Sequence, residues 1–151
     1  MKTNETQAAP IVQQESMASY CKRKRVNHLS LCDYFVKENM ADTESVARLL
    51  HMYCVNSRQR IRWGVIYNAS MDCGIFVNMG PEAFKDMMNK LIAGLEVDRT
   101  TVSRGIREYD EYFRKQQKGE VIPHEETRCL NAKRTLESAL KDLIRYSRYN
   151  R

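Results

Sequence analysis

Apolar residues recur three and four positions apart along most of the chain, the spacing that places them on one face of an α-helix. Between Thr43 and Cys54 this pattern follows an N-cap oxygen from Asp42 or Thr43. From Pro81 to Ala93 it follows a proline suited to the first helical turn. Two amphipathic helices are therefore predicted. Their core-facing stripes are Val46, Leu49, Leu50, Tyr53 and Cys54 in the first, and Phe84, Met87, Met88, Leu91, Ile92 and Leu95 in the second.

The same spacing predicts three more helices. Apolar residues crowd into two turns from Leu29 to Val36, which predicts a short buried helix. Asp98 is suited to cap a helix that runs to about Lys115, because its carboxylate can accept from the backbone of Thr100 or Thr101. A last helix is predicted from Arg128 to Tyr149, after a polar linker that includes residues 124–126. The expected inward positions are Val102, Ile106, Tyr109 and Phe113, and then Leu136, Ala139, Leu140 and Leu143.

The segment Arg60–Met71 fits two structures. Ile61, Trp63, Val65 and Tyr67 alternate as in a strand, whereas Ile61, Val65 and Ala69 share one helical face. Gly74 and the apolar residues after it are typical of a helix end, which favours the helix. A hairpin with Ile75–Val77 as its second strand remains the alternative.

These elements predict an all-α fold of five to six helices. Residues 1–19 are polar and predict a disordered tail, and residues 20–151 predict a single helical domain. Its centre is expected to be a trihelical unit formed by Ser57–Cys73, Pro81–Ala93 and Asp98–Lys115.

Charge and composition narrow the range of expected binding partners. The chain has 151 residues, with 25 Lys and Arg against 19 Asp and Glu, and a formal net charge of +6 favours polyanionic partners. Four consecutive basic residues follow the tail, either as a phosphate-contacting arm or as a solvated start to the first helix. They are Lys22, Arg23, Lys24 and Arg25.

Several classes of protein are not expected. No apolar run approaches the roughly 20 residues of a membrane span, and residues 1–16 lack a secretory pattern. Five cysteines without a C-x-x-C pair favour reduced thiols in the cytoplasm. The spacings Cys21–His28–Cys32 and His51–Cys54 fit no zinc motif, and no catalytic motif is present. We therefore expect no enzyme activity, cofactor, metal, membrane contact or small-molecule substrate.

One segment suggests a function. A turn at Gly94–Val97 joins two predicted helices, and a short turn containing glycine is typical of a helix–turn–helix. The segment Val97–Arg104, VDRTTVSR, resembles the start of the recognition helix in lac-repressor-type helix–turn–helix regulators. Val97 and Val102 are expected to face inward. The exposed residues expected to contact DNA bases or phosphates are Arg99, Thr100, Thr101, Ser103, Arg104 and Arg107.

The sequence thus predicts a small, non-catalytic protein that binds double-stranded DNA. A regulator or accessory factor of a bacterial mobile element or phage fits this description, and a homodimer is left open. The alternative is a helical protein–protein interaction module whose basic surface is incidental.

Overall fold

Five α-helices follow one another along the residues that the structure, a computed structural model, describes: 29–55 and 58–149. They are α1 (Thr43–Val55), α2 (Ile61–Cys73), α3 (Pro81–Leu91), α4 (Arg99–Gln117) and α5 (His124–Tyr149). Two 3-10 turns, Leu31–Tyr34 and Lys37–Asn39, precede α1. The all-α prediction is confirmed for this part of the chain, and the predicted tail at residues 1–19 lies outside it.

Helix α2 lies at the centre, packed against both α4 and α5. Trp63, Ile66 and Ala69 are buried there, and Gly74 ends the helix at a φ of 76°, as the helical interpretation requires. The hairpin alternative is wrong. Phe76 instead forms an isolated antiparallel bridge with Phe35, just after the first 3-10 turn, in which the Val77 amide donates to the Tyr34 carbonyl at 2.9 Å.

Two glycines set the distance between α2 and α4. A Cβ atom added to Gly105 would lie 2.8 Å from the Cβ of Trp63 and closer still to the carbonyl oxygen of Arg60. A Cβ added to Gly64 would overlap the Gly105 carbonyl and the Tyr109 side chain. The absence of side chains at both positions therefore allows the two backbones to touch, which holds α4 tightly against α2.

The two amphipathic stripes bury the residues that their spacing predicts. Val46, Leu50 and Cys54 of α1 are buried, and Leu49 and Tyr53 pack partly against the same core. In α3 the proline lies in the first turn, and its buried side chains are Ala83, Phe84, Met87, Met88 and Leu91. These two helices close the core around α2.

The predicted short helix at Leu29–Val36 is wrong. Ser30 and Asp33 form a capping box, but regular helix does not follow, because Phe35 is extended and pairs with Phe76. The two rings meet edge to face at 4.9 Å. Cys32, expected inside, is exposed. A long-range bridge thus overrides the local helical pattern and leaves only 3-10 turns.

Two features of the C-terminal half also differ from expectation. Phe113, predicted to be buried, is 42% exposed and stacks on the Tyr109 ring at 5.8 Å. Helix α4 has 19 residues and α2 has 13, so the apolar face of α4 is covered over part of its length only. Residues 124–126 are not a linker but the first turn of α5, where the Pro123 carbonyl accepts from the Thr127 amide at 3.0 Å.

None of the described helices combines the length and the apolar character that crossing a bilayer requires.

Candidate functional site

Helix α4 begins as the sequence predicts, with Asp98 as its N-cap. The Asp98 Oδ1 accepts from the Thr101 amide at 2.7 Å. This hydrogen bond, then one from the Thr101 hydroxyl and the positive charge of Arg104, lower the pKa of Asp98. A capping carboxylate therefore stays ionised and fixes the first turn of α4.

The connection between α3 and α4 is longer than predicted. Helix α3 ends at Leu91 rather than Ala93, because Ile92 turns into an extended conformation and buries its side chain in the core. Residues 92–98 then form the connection, so the expected four-residue turn is wrong, although Gly94 has the predicted left-handed conformation at a φ of 84°.

A single side chain fixes the far end of this connection. The Oδ1 atom of Asn89 accepts from the Val97 amide at 3.0 Å, and its Nδ2 donates to the Val97 carbonyl at 2.9 Å. Both backbone groups before the N-cap are thereby satisfied by one residue of α3. Val97 is partly buried against the core and Val102 is fully buried, so the start of α4 has one fixed inner face.

The outer face of this first half of α4 carries the predicted residues. Arg99, Thr100 and Ser103 lie there with Arg104 and Arg107, and together they line a shallow depression of about 310 Å³. Both Arg104 and Arg107 are exposed. The structure thus brings five of the six predicted residues together around one concave surface.

Thr101 is the predicted residue that does not line the depression. It is half-buried, and its backbone and hydroxyl both bind the capping Asp98. Thr101 therefore belongs to the helix start, where it contributes to the structure of the site.

Of the three arginines that line the depression, one lies near a carboxylate and two do not. Arg99 Nε lies 3.9 Å from Glu82 Oε1 of α3, while the other oxygen of Glu82 binds Lys85 at 3.0 Å. Arg104 and Arg107 form no ion pair with any other residue in the described ranges. Their guanidinium groups are thus available to an external anion.

A second basic segment next to α4 was not anticipated as part of the site. Arg60 NH2 binds Glu108 Oε2 of α4 at 2.9 Å, and the Arg60 backbone lies against Gly105. Arg58, two residues earlier, is exposed. The alternating arginines at 58, 60 and 62 are visible in the sequence, but their position beside α4 depends on the Gly64–Gly105 crossing.

Other predicted features lie elsewhere. The basic arm Lys22–Arg25 is outside the described residues, as are Cys21 and His28. Cys54 is buried, and burial raises the pKa of its thiol to about 12, so it behaves as an apolar side chain. Across residues 29–55 and 58–149, no three His, Cys, Asp or Glu residues are grouped to hold a metal ion.

In comparisons with known proteins, no protein-family model, curated protein sequence or solved structure matches the chain.

Proposed function

We propose that this protein is a non-catalytic double-stranded DNA-binding protein and that the first half of α4 is its DNA-contacting surface. One observation carries the proposal. Arg104 and Arg107 are exposed beside Thr100 and Ser103 on one concave face, and neither arginine has an ion-pair partner among the described residues. This face offers cations without a direct ion pair together with hydroxyl donors.

The chemistry of these groups suits DNA. A guanidinium binds a phosphate or a guanine edge through two hydrogen bonds, and hydroxyls reach phosphates or base edges. The sequence resemblance of Val97–Arg104 to a recognition helix points to the same element, α4, although the connection before it is longer than the turn of that motif.

The first test is the salt dependence of DNA binding. Fluorescence anisotropy with a labelled duplex of about 20 base pairs, two turns of DNA, is measured between about 50 and 200 mM salt. We expect Arg104→Ala combined with Arg107→Ala to weaken binding and to lower the salt slope by about 1.8, at about 0.9 for each lost phosphate contact. Lys37→Ala with Arg134→Ala is the matched control, because it removes two exposed charges that make no ion pair with another described residue.

Equal losses in the two double variants would show that net charge alone causes the binding, and would refute a surface on α4. Absence of salt-sensitive binding by the wild-type protein would refute DNA binding itself.

The basic arm is tested separately. Deleting residues 1–25 should lower the affinity for all duplex sequences by a similar factor, since lysines and arginines outside a groove contact phosphates rather than bases. Unchanged affinity would show that the arm takes no part. Its role, and that of the protein as a regulator or accessory factor of a mobile element or phage, stay predictions.

A protein–protein interaction module is the second candidate, favoured by Phe113. This large apolar side chain is 42% exposed on the same helix as the arginines. Light scattering at increasing protein concentration tests for self-association, with Phe113→Ser as the variant expected to abolish it. If the wild-type protein is monomeric and binds DNA, self-association through Phe113 is refuted and DNA binding is the function that stands.

A further inference from the structure

The segment Arg58–Arg60 lies beside the DNA-contacting surface proposed for α4. Glu108, which binds Arg60 at 2.9 Å, is one helical turn after Arg104 on α4. Side chains at this spacing lie about 5–6 Å apart at their Cβ atoms. The Arg60 guanidinium is therefore a neighbour of Arg104, and its side chain remains 47% exposed.

The segment is held in place by Arg62. Its NH1 atom donates to the Gln59 carbonyl at 2.8 Å, and its backbone amide donates to the same oxygen at 3.2 Å. The Arg62 guanidinium also lies over the Trp63 ring at 5.3 Å, and Trp63 itself is buried. Arg60 is thus fixed to the core at its backbone, while its guanidinium reaches the surface.

Arg58 is a second cation of this segment, two residues before Arg60. It is exposed and makes no ion pair with another described residue. Two residues span at most about 7 Å of chain, so Arg58 stays within a side-chain length of Arg60. Arg58 and Arg60 therefore form a short basic segment, which the contact of Arg60 with Glu108 places next to Arg104 on α4.

We infer that Arg58 and Arg60 form a second phosphate-contacting element, which binds the DNA backbone next to the part of the duplex that α4 contacts. This inference rests on the proposed function. Phosphate contacts fix the orientation of a protein on DNA and carry no sequence information directly. The segment would thus set how α4 is presented to the duplex, whereas base discrimination would come from α4.

The test compares two double variants with matched charge. Arg58→Ala with Arg60→Ala removes one unpaired and one Glu-paired arginine. The control, Arg134→Ala with Arg48→Ala, also removes one unpaired and one Glu-paired arginine, but on α5 and α1. Arg48 is the paired one, 3.9 Å from Glu44. Binding to a labelled duplex of about 20 base pairs is followed by anisotropy in the full chain across a salt series.

We expect the first double variant to bind about 3- to 10-fold more weakly than the wild type, and the control about as well as the wild type. The salt slope should fall by about 1.8 in the first variant only. Arg60→Ala also breaks the contact with Glu108. Arg58→Glu therefore serves as a single variant, because Arg58 makes no ion pair with another described residue, and it should weaken binding as well.

The outcomes separate the two levels of the proposal. Equal binding by the 58/60 variant and the control, with weakened binding by the Arg104/Arg107 variant, overturns the second element and leaves the function of α4 standing. A wild-type protein that does not bind the duplex overturns both. A 58/60 variant that loses preference for one DNA sequence but keeps its general affinity also overturns the inference, because it would show base contacts.

Discussion

Replacing Gly105 with alanine tests the close packing of α2 against α4. The new methyl group would lie 2.8 Å from the Trp63 Cβ and nearer to the Arg60 carbonyl oxygen, whereas ordinary contacts begin at 3.4 Å. The Arg60 atom belongs to the backbone and cannot turn aside as a side chain would. The variant must therefore move the two helices apart.

The expected cost follows from two opposing effects. Overpacking a close interface costs about 1–3 kcal/mol, and the upper end applies here because a backbone atom blocks the methyl group. In the opposite direction, alanine in place of glycine inside a helix stabilises the folded state by about 1 kcal/mol. We expect a net loss of about 2 kcal/mol in the free energy of unfolding, or roughly 6–12 °C in Tm for a domain of this size.

Urea and thermal unfolding followed by circular dichroism measure this loss. Gly80→Ala is the control, because an added Cβ there meets no atom within 4 Å, and the cost should stay near or below about 1 kcal/mol as an N-cap effect. In a double-mutant cycle, Gly64→Ala and Gly105→Ala should cost less together than the sum of the single variants, since one separation of the helices accommodates both. A Gly105→Ala variant as stable as the wild type would refute the close crossing.

Three further outcomes are expected. Arg104→Ala should weaken binding to a duplex selected from a random pool by about 1–3 kcal/mol without changing Tm, and a loss of Tm instead would show a structural role. Glu82→Gln should raise DNA affinity about 2- to 5-fold in anisotropy, because it releases Arg99; an unchanged affinity would mean that Arg99 does not contact DNA. Leu91→Ala should cost about 2–5 kcal/mol in urea unfolding, since Leu91 is only 8% exposed, and a cost below about 1 kcal/mol would contradict its place in the core.

Helical spacing was sufficient to predict most of the fold. Some features depend on residues within a few positions of one another, so they can be predicted from a short stretch of sequence. They are the apolar stripes of α1 and α3, the helix end at Gly74 and the N-cap at Asp98. Phe35 was misassigned because its partner, Phe76, lies 41 residues away and only the folded chain brings them together.

The candidate site likewise has a part that the sequence predicts and a part that it does not. The outward position of Arg104 and Arg107 follows from the inward position of Val102 on one helix. The neighbouring Arg60 could not be predicted, because its position requires two glycines on different helices to meet. Spacing in a single sequence reveals helical faces, but it does not show which helices touch.

The amide of Asn89 has a consequence for how this chain tolerates change in length. Because one side chain of α3 holds both backbone groups of Val97, the start of α4 is tied directly to α3 and not only through the connection between the two helices. Ala93, Gly94 and Glu96 are exposed in that interval. Extra residues inserted after Gly94 would loop into solvent at a small entropic cost and leave the start of α4 in place.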